Sequence, residues 1–87
     1  MENIITFNNT NNAIKAEQCL LTQNILVGVL PLPSQISAGC GICLRVKVED
    51  VIQALRILKD NNISEIGLYT RMPENNGFIY TKERLQI

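Results

Sequence analysis

The chain contains no histidine and no tryptophan, and only 5% of its 87 residues are aromatic. Without histidine there can be no Ser-His-Asp or Cys-His dyad, no imidazole general base and no histidine-ligated zinc within the chain. So few aromatics leave little for a base-stacking platform or an aromatic cage. A charge surplus is missing too. Eight Lys and Arg balance eight Asp and Glu, whereas a nucleic-acid binder needs a basic excess to neutralise phosphates. The longest uncharged stretch, residues 18–44, is interrupted by Asn24, Gly28, Pro31, Pro33 and Gly39, too many breakers for a membrane span. Its opening, Met-Glu-Asn-Ile-Ile-Thr-Phe, has neither the basic start nor the long apolar run of a signal peptide. These absences predict a small cytoplasmic protein with neither nucleic acid nor membrane as partner. Cysteine is present but odd in number: Cys19, Cys40 and Cys43 do not read as a disulfide framework. Any chemistry carried by this chain is expected to be thiol chemistry.

Apolar residues make up 46% of the chain, enough for one core. Asn3-Ile4-Ile5-Thr6-Phe7 reads as a strand closed by the breaker cluster Asn8-Asn9-Thr10-Asn11-Asn12, which also offers helix caps. Ala13, Ala16 and Leu20 recur at helical spacing up to Asn24, and Ile25 to Leu30 form an apolar strand stopped by Pro31 and Pro33. After a loop from Pro31 to Gly41, the segment Ile42 to Val48 alternates. Ile42, Leu44, Val46 and Val48 face one side; Cys43, Arg45 and Lys47 face the other. Val51, Ala54, Leu55 and Leu58 mark a second helix ended by Asn61-Asn62, and Ile66 to Tyr69 form a last core strand. Gly77 to Thr81 reads as a weaker strand. The order β-α-β-β-α-β predicts an α+β, ferredoxin-like antiparallel sheet with both helices on one face over residues 1–70. Residues 71–87 read as a C-terminal tail or an added strand.

The loop is where chemistry is expected. Cys40 lies between Gly39 and Gly41, which can take positive φ and turn backbone N–H groups toward one point. Such a nest favours an anion and would hold a thiolate. The same residues read as readily as a plain turn with a small cysteine filling it. Cys40-Gly41-Ile42-Cys43 is also a C-x-x-C, but a strand rather than a helix follows it, so a redox pair would require Cys40 to sit in a tight turn. Two neighbouring thiols fall short of a metal's ligand set unless two subunits pool theirs, and no metal or cofactor is expected. Cys19, beside the Ala16/Leu20 stripe, reads as structural. Arg45, on the face of Cys43, could contact an anion or simply be solvated.

Several segments together resemble a known family: Ile4-Ile5-Thr6-Phe7, Ala13-Ile14-Lys15-Ala16-Glu17, Leu32-Pro33 followed by Ile36-Ser37, and Cys40-Gly41-Ile42 running into Leu44-Arg45-Val46. They are similar, over roughly residues 3–60, to the short prokaryotic selenium/sulfur carrier-like proteins. The chain departs from the pattern twice, with Ser34 where the family usually has arginine and Cys43 where it has a small residue without a thiol. The resemblance implies a carrier rather than a catalyst. Cys40 would accept sulfur or selenium as a persulfide or selenopersulfide and hand it from a donor enzyme to an acceptor. The alternatives from the residues themselves are a non-catalytic ligand-binding or self-assembling module, and a thiol redox or metal protein using Cys40 and Cys43. Alternation also places Ile4, Leu26, Leu30 and Tyr69 on the sheet face away from the helices, which predicts that something covers that face. A second copy, giving a homodimer, is favoured over the Phe78-Ile79-Tyr80 tail.

Overall fold

A computed structural model describes residues 1–85. Five strands and two helices follow in the order β1 (Glu2–Thr6), α1 (Thr10–Thr22), β2 (Val27–Pro31), β3 (Ile42–Lys47), α2 (Val51–Asp60), β4 (Gly67–Glu74) and β5 (Gly77–Glu83). The strands form one sheet ordered β2-β3-β1-β4-β5, with every neighbouring pair antiparallel. This is an α+β architecture.

Local sequence explains the element ends. Asn9 caps α1, its side chain accepting the Asn12 backbone N–H at 2.8 Å. Both helices stop the same way. Asn24 and Asn62 take left-handed backbone at φ 64° and 61°. The following isoleucine then donates its N–H back into the helix, Ile25 to the Leu20 carbonyl and Ile63 to the Leu58 carbonyl, each at 2.9 Å. Asn tolerates that conformation, and the isoleucine behind it is buried, which locks the turn. One consequence is that β2 starts at Val27 rather than Ile25, because Ile25 is used in the cap. Val48 is likewise outside β3. It begins a short 3-10 turn, Val48–Asp50, and is exposed.

Ile5, Leu44, Val46 and Leu68 of the sheet pack with Ala13, Ala16 and Leu20 of α1 and Ala54, Leu55 and Leu58 of α2. Both helices therefore cover one face. Small alanines let the helices approach closely, and Phe7 and Ile63 close the layer. β4 runs through residue 70 to Glu74, and β5 extends the sheet beside it, joined by Asn75-Asn76.

The face away from the helices differs from its expectation. Ile4 is fully buried within the single chain, Leu30 and Tyr69 are half-buried, and only Leu26, which lies ahead of β2, is well exposed at 70%. Cys43 is fully buried there as well. Ile36 of the loop is also buried and, like Ile4 and Cys43, lies outside the helix-side core. Residues 78–80 do not fold over this face, since they belong to β5. Across it Glu2 pairs with both Arg45 (3.4 Å) and Arg71 (3.0 Å), and the Arg71 guanidinium stacks 4.0 Å from the Phe78 ring centre.

Candidate functional site

The loop from Leu32 to Gly41 closes on itself at its neck, where the Leu32 N–H donates to the Gly41 carbonyl at 2.9 Å. A turn at Pro33, closed by the Ile36 N–H on the Pro33 carbonyl (3.0 Å), sends Ile36 inward. The loop then passes against the β1–α1 turn. A Cβ built on Gly39 would lie 2.1 Å from the Asn8 carbonyl oxygen, so only glycine lets the two backbones come this close. That, and not positive φ, is what Gly39 provides. No glycine among the described residues has positive φ, and Gly41 has open space where a Cβ would point. The expected nest built on left-handed glycines is therefore absent.

This close approach delivers Cys40 to the start of α1. Its thiol donates to the Thr10 hydroxyl at 3.6 Å, and its sulfur accepts the Ile42 N–H at 3.5 Å. The side chain belongs to the helix-side core and is 3% exposed. The sulfur is thus tucked under the helix and not exposed on an open loop. In the sequence Thr10 reads only as part of a capping cluster.

Cys43 takes the opposite face, donating to the Pro31 carbonyl at 3.8 Å. Burial pushes its thiol up to about 11, against an offsetting pull from Arg71 and a smaller upward push from Cys40. Burial thus favours the protonated form of the Cys43 thiol at neutral pH. All three cysteines are free, and Cys19 is half-buried against the core. Cys43 lies within β3 on the face away from the helices, whereas Cys40, ahead of that strand, belongs to the helix-side core, so the two sulfurs of the C-x-x-C sit on different sides of the sheet.

Arg45 does not join this group. Its guanidinium lies over Gly28, within 2.9 Å of where a Cβ there would be, and reaches Glu2 rather than the loop. The cation acting on Cys43 is Arg71, which alternation from Tyr69 places on the same face but which the sequence reading assigns to the tail. Among the described residues, no three of Cys, Asp and Glu come together as a metal site, and no helix is long and apolar enough to cross a membrane.

A family model described as "Putative Se/S carrier protein-like" matches residues 2–70. The chain belongs to that family. Neither a curated protein nor a solved structure matches it. The match spans β1 to the middle of β4 and includes the whole loop with Cys40, while β5 lies outside it. In this member of the Se/S carrier-like family, the Cys40 sulfur lies between the Thr10 hydroxyl at the start of α1 and the Ile42 N–H at the start of β3, while Cys43 donates to the Pro31 carbonyl and Cys19 packs against the core.

Proposed function

We propose that the chain carries a sulfur or selenium atom on Cys40. The observation that supports this reading is the setting of that sulfur. It faces the Ile42 N–H and a hydroxyl able to turn its proton around, contacts that suit sulfur bearing negative charge. The transfer is redox-neutral. The Cys40 thiolate attacks the terminal sulfur of a donor enzyme's cysteine persulfide, the donor's S–S bond breaks, and its cysteine leaves as a thiolate. The product, Cys40 persulfide, passes the same atom to an acceptor by the reverse step. Selenium follows the same course as a selenopersulfide.

Because Cys40 is buried, transfer requires the loop to open. The Gly39 contact with Asn8 and the Leu32–Gly41 hydrogen bond are what must give way. Closure afterwards shields the persulfide from stray thiols, and a Cys43 held protonated on the opposite face does not attack it. We read β1 to β4 with the two helices as the ferredoxin-like unit, β5 being added at the β4 edge. Gly39 and Gly41 serve as loop positions, one for close approach and one for bending. Arg45 is a framework ion-pair partner rather than an anion contact.

The test is mass spectrometry after incubation with a cysteine desulfurase and cysteine. One added sulfur, lost in Cys40→Ser and kept in Cys43→Ser, is the expected result. Label on Cys19 or Cys43, or none on any cysteine, overturns the reading. The burial of Cys40 favours the second reading, a non-catalytic binding module, which that last outcome would leave standing.

A further inference from the structure

We propose that β5 is a dimerisation edge, pairing with β5 of a second copy across a two-fold axis to form a continuous ten-stranded sheet. The second copy expected from the sequence is thereby placed at the edge of the sheet instead of on its face. The two outer strands of this sheet are not alike. β2 is five residues long, carries Gly28 under the Arg45 side chain and ends at Pro31, which blunts it as natural edges are blunted. β5 runs seven residues, Gly-Phe-Ile-Tyr-Thr-Lys-Glu, with no proline. Its carboxylate, Glu83, is turned inward to Thr70 at 2.7 Å. Its apolar Phe78 and Ile79 are 43% and 46% exposed. Opposite Ile79 stands Met72, 51% exposed on a part of the sheet beyond the helices, which pack on β2 and β3.

The register follows from the hairpin. Glu74 and Gly77 are paired across the two-residue turn, so Gly77 spends its backbone groups on β4 and every second residue after it does the same. Phe78, Tyr80 and Lys82 are left with N–H and C=O directed at solvent. An antiparallel two-fold pair centred on Tyr80 sets Tyr80 against Tyr80 and Phe78 against Lys82, and it uses all three residues of each strand. Centring on Phe78 or on Lys82 leaves outward groups unpaired. The same register puts Ile79 beside Thr81 on the other face and sets no like charges opposite each other, which would cost stability. A single strand pair lies at the small end of protein interfaces, so the dimer should dissociate on dilution.

Sedimentation velocity on the full chain across two decades of concentration tests this, with Tyr80→Pro as the variant. Proline removes an outward N–H without touching the ladder to β4, and edge strands accept it there. The expected result is a concentration-dependent dimer in the parent and a monomer with unchanged circular dichroism in Tyr80→Pro. Should that variant misfold, oxidative cross-linking decides. Tyr80→Cys sits on the axis, with Cα atoms about 5.5 Å apart, and should form an intermolecular disulfide. Ile79→Cys, displaced from its own symmetry mate, should not. A parent that stays monomeric at every concentration, a dimer that survives Tyr80→Pro intact, or equal cross-linking at residues 79 and 80 overturns the proposal.

Discussion

Gly39→Ala tests whether the close approach of loop and turn is what hides Cys40. The new methyl would stand 2.1 Å from the Asn8 carbonyl oxygen, with the Asn8 carbonyl carbon at 2.9 Å. Both atoms are backbone, so no side chain can swing aside. The turn itself is pinned. Asn8 donates to Glu65 at 2.7 Å and accepts from Asn12 at 2.8 Å, while Asn9 caps the helix. The loop must therefore yield. Overpacking of this kind costs about 1–3 kcal/mol, and each 1.4 kcal/mol is about tenfold in a population. Alkylation of Cys40 at neutral pH, measured in a Cys19→Ser background, should accelerate by roughly 5- to 140-fold on that arithmetic. Urea unfolding should report a loss of similar size. Gly41→Ala is the control. With nothing within 4 Å and no positive φ, it should be neutral or stabilise by about 0.4–1 kcal/mol through the unfolded chain. If Gly41→Ala proves as damaging as Gly39→Ala, or if Gly39→Ala leaves the alkylation rate unchanged, the latch is not where this geometry puts it.

The buried Cys43 thiol makes stability alkali-sensitive. Its folded value near 11 lies above the ordinary thiol value of 9.0, so its stabilisation is complete below pH 9 and lost as pH rises from 9 to 11. That is on the order of 2 kcal/mol in denaturation experiments, and Cys43→Ala should lack it; parallel pH profiles for the two proteins would refute the assignment. Replacing Asn62 by Gly should hold or raise stability, whereas Asn62→Val, β-branched at φ 61°, should cost more than 1 kcal/mol by chemical unfolding. Leu20→Ala, at a fully buried position, should lose about 2–5 kcal/mol. Glu2→Gln removes a partly exposed carboxylate from two arginines and should cost under about 1 kcal/mol, shrinking in salt.

Much of the fold is legible because its signals are local. The Asn pairs mark helix ends since asparagine tolerates left-handed backbone, and the alternation through Ile42 to Lys47 separates Cys43 from Leu44 without any tertiary information. What resists reading is set by distant contacts. Nothing near Gly39 in sequence announces that Asn8 will lie against it, so the glycines look like sources of positive φ when one of them is a spacer. The full burial of Ile4 and Cys43 on the face away from the helices is likewise something that alternation cannot give. Arg71 is lost by drawing the end of the core at residue 70, inside β4.

The distance between a hidden thiol and a working carrier is an opening free energy. Cys40 at 3% exposure reacts only in the open fraction, so a loop that opens at a cost of about 2–4 kcal/mol would present the thiol about 0.1–3% of the time. A carrier tolerates that tax if its partner supplies it, because an enzyme that binds the open loop better than the closed one shifts the population by its differential affinity. The contacts holding the loop are suited to such a shift. They are one neck hydrogen bond, one tight backbone approach, two weak sulfur contacts and the burial of Ile36 and Cys40, with no ion pair among them in the described residues. Ser34 stands in the outer part of this loop where the family resemblance leads one to expect arginine, so a partner that opens it must grip by shape and backbone more than by charge. Ser34→Arg accordingly should leave free-protein alkylation of Cys40 unchanged and should alter the salt dependence of sulfur transfer from the desulfurase. A change in the free protein's alkylation rate instead would mean that residue 34 controls the latch itself.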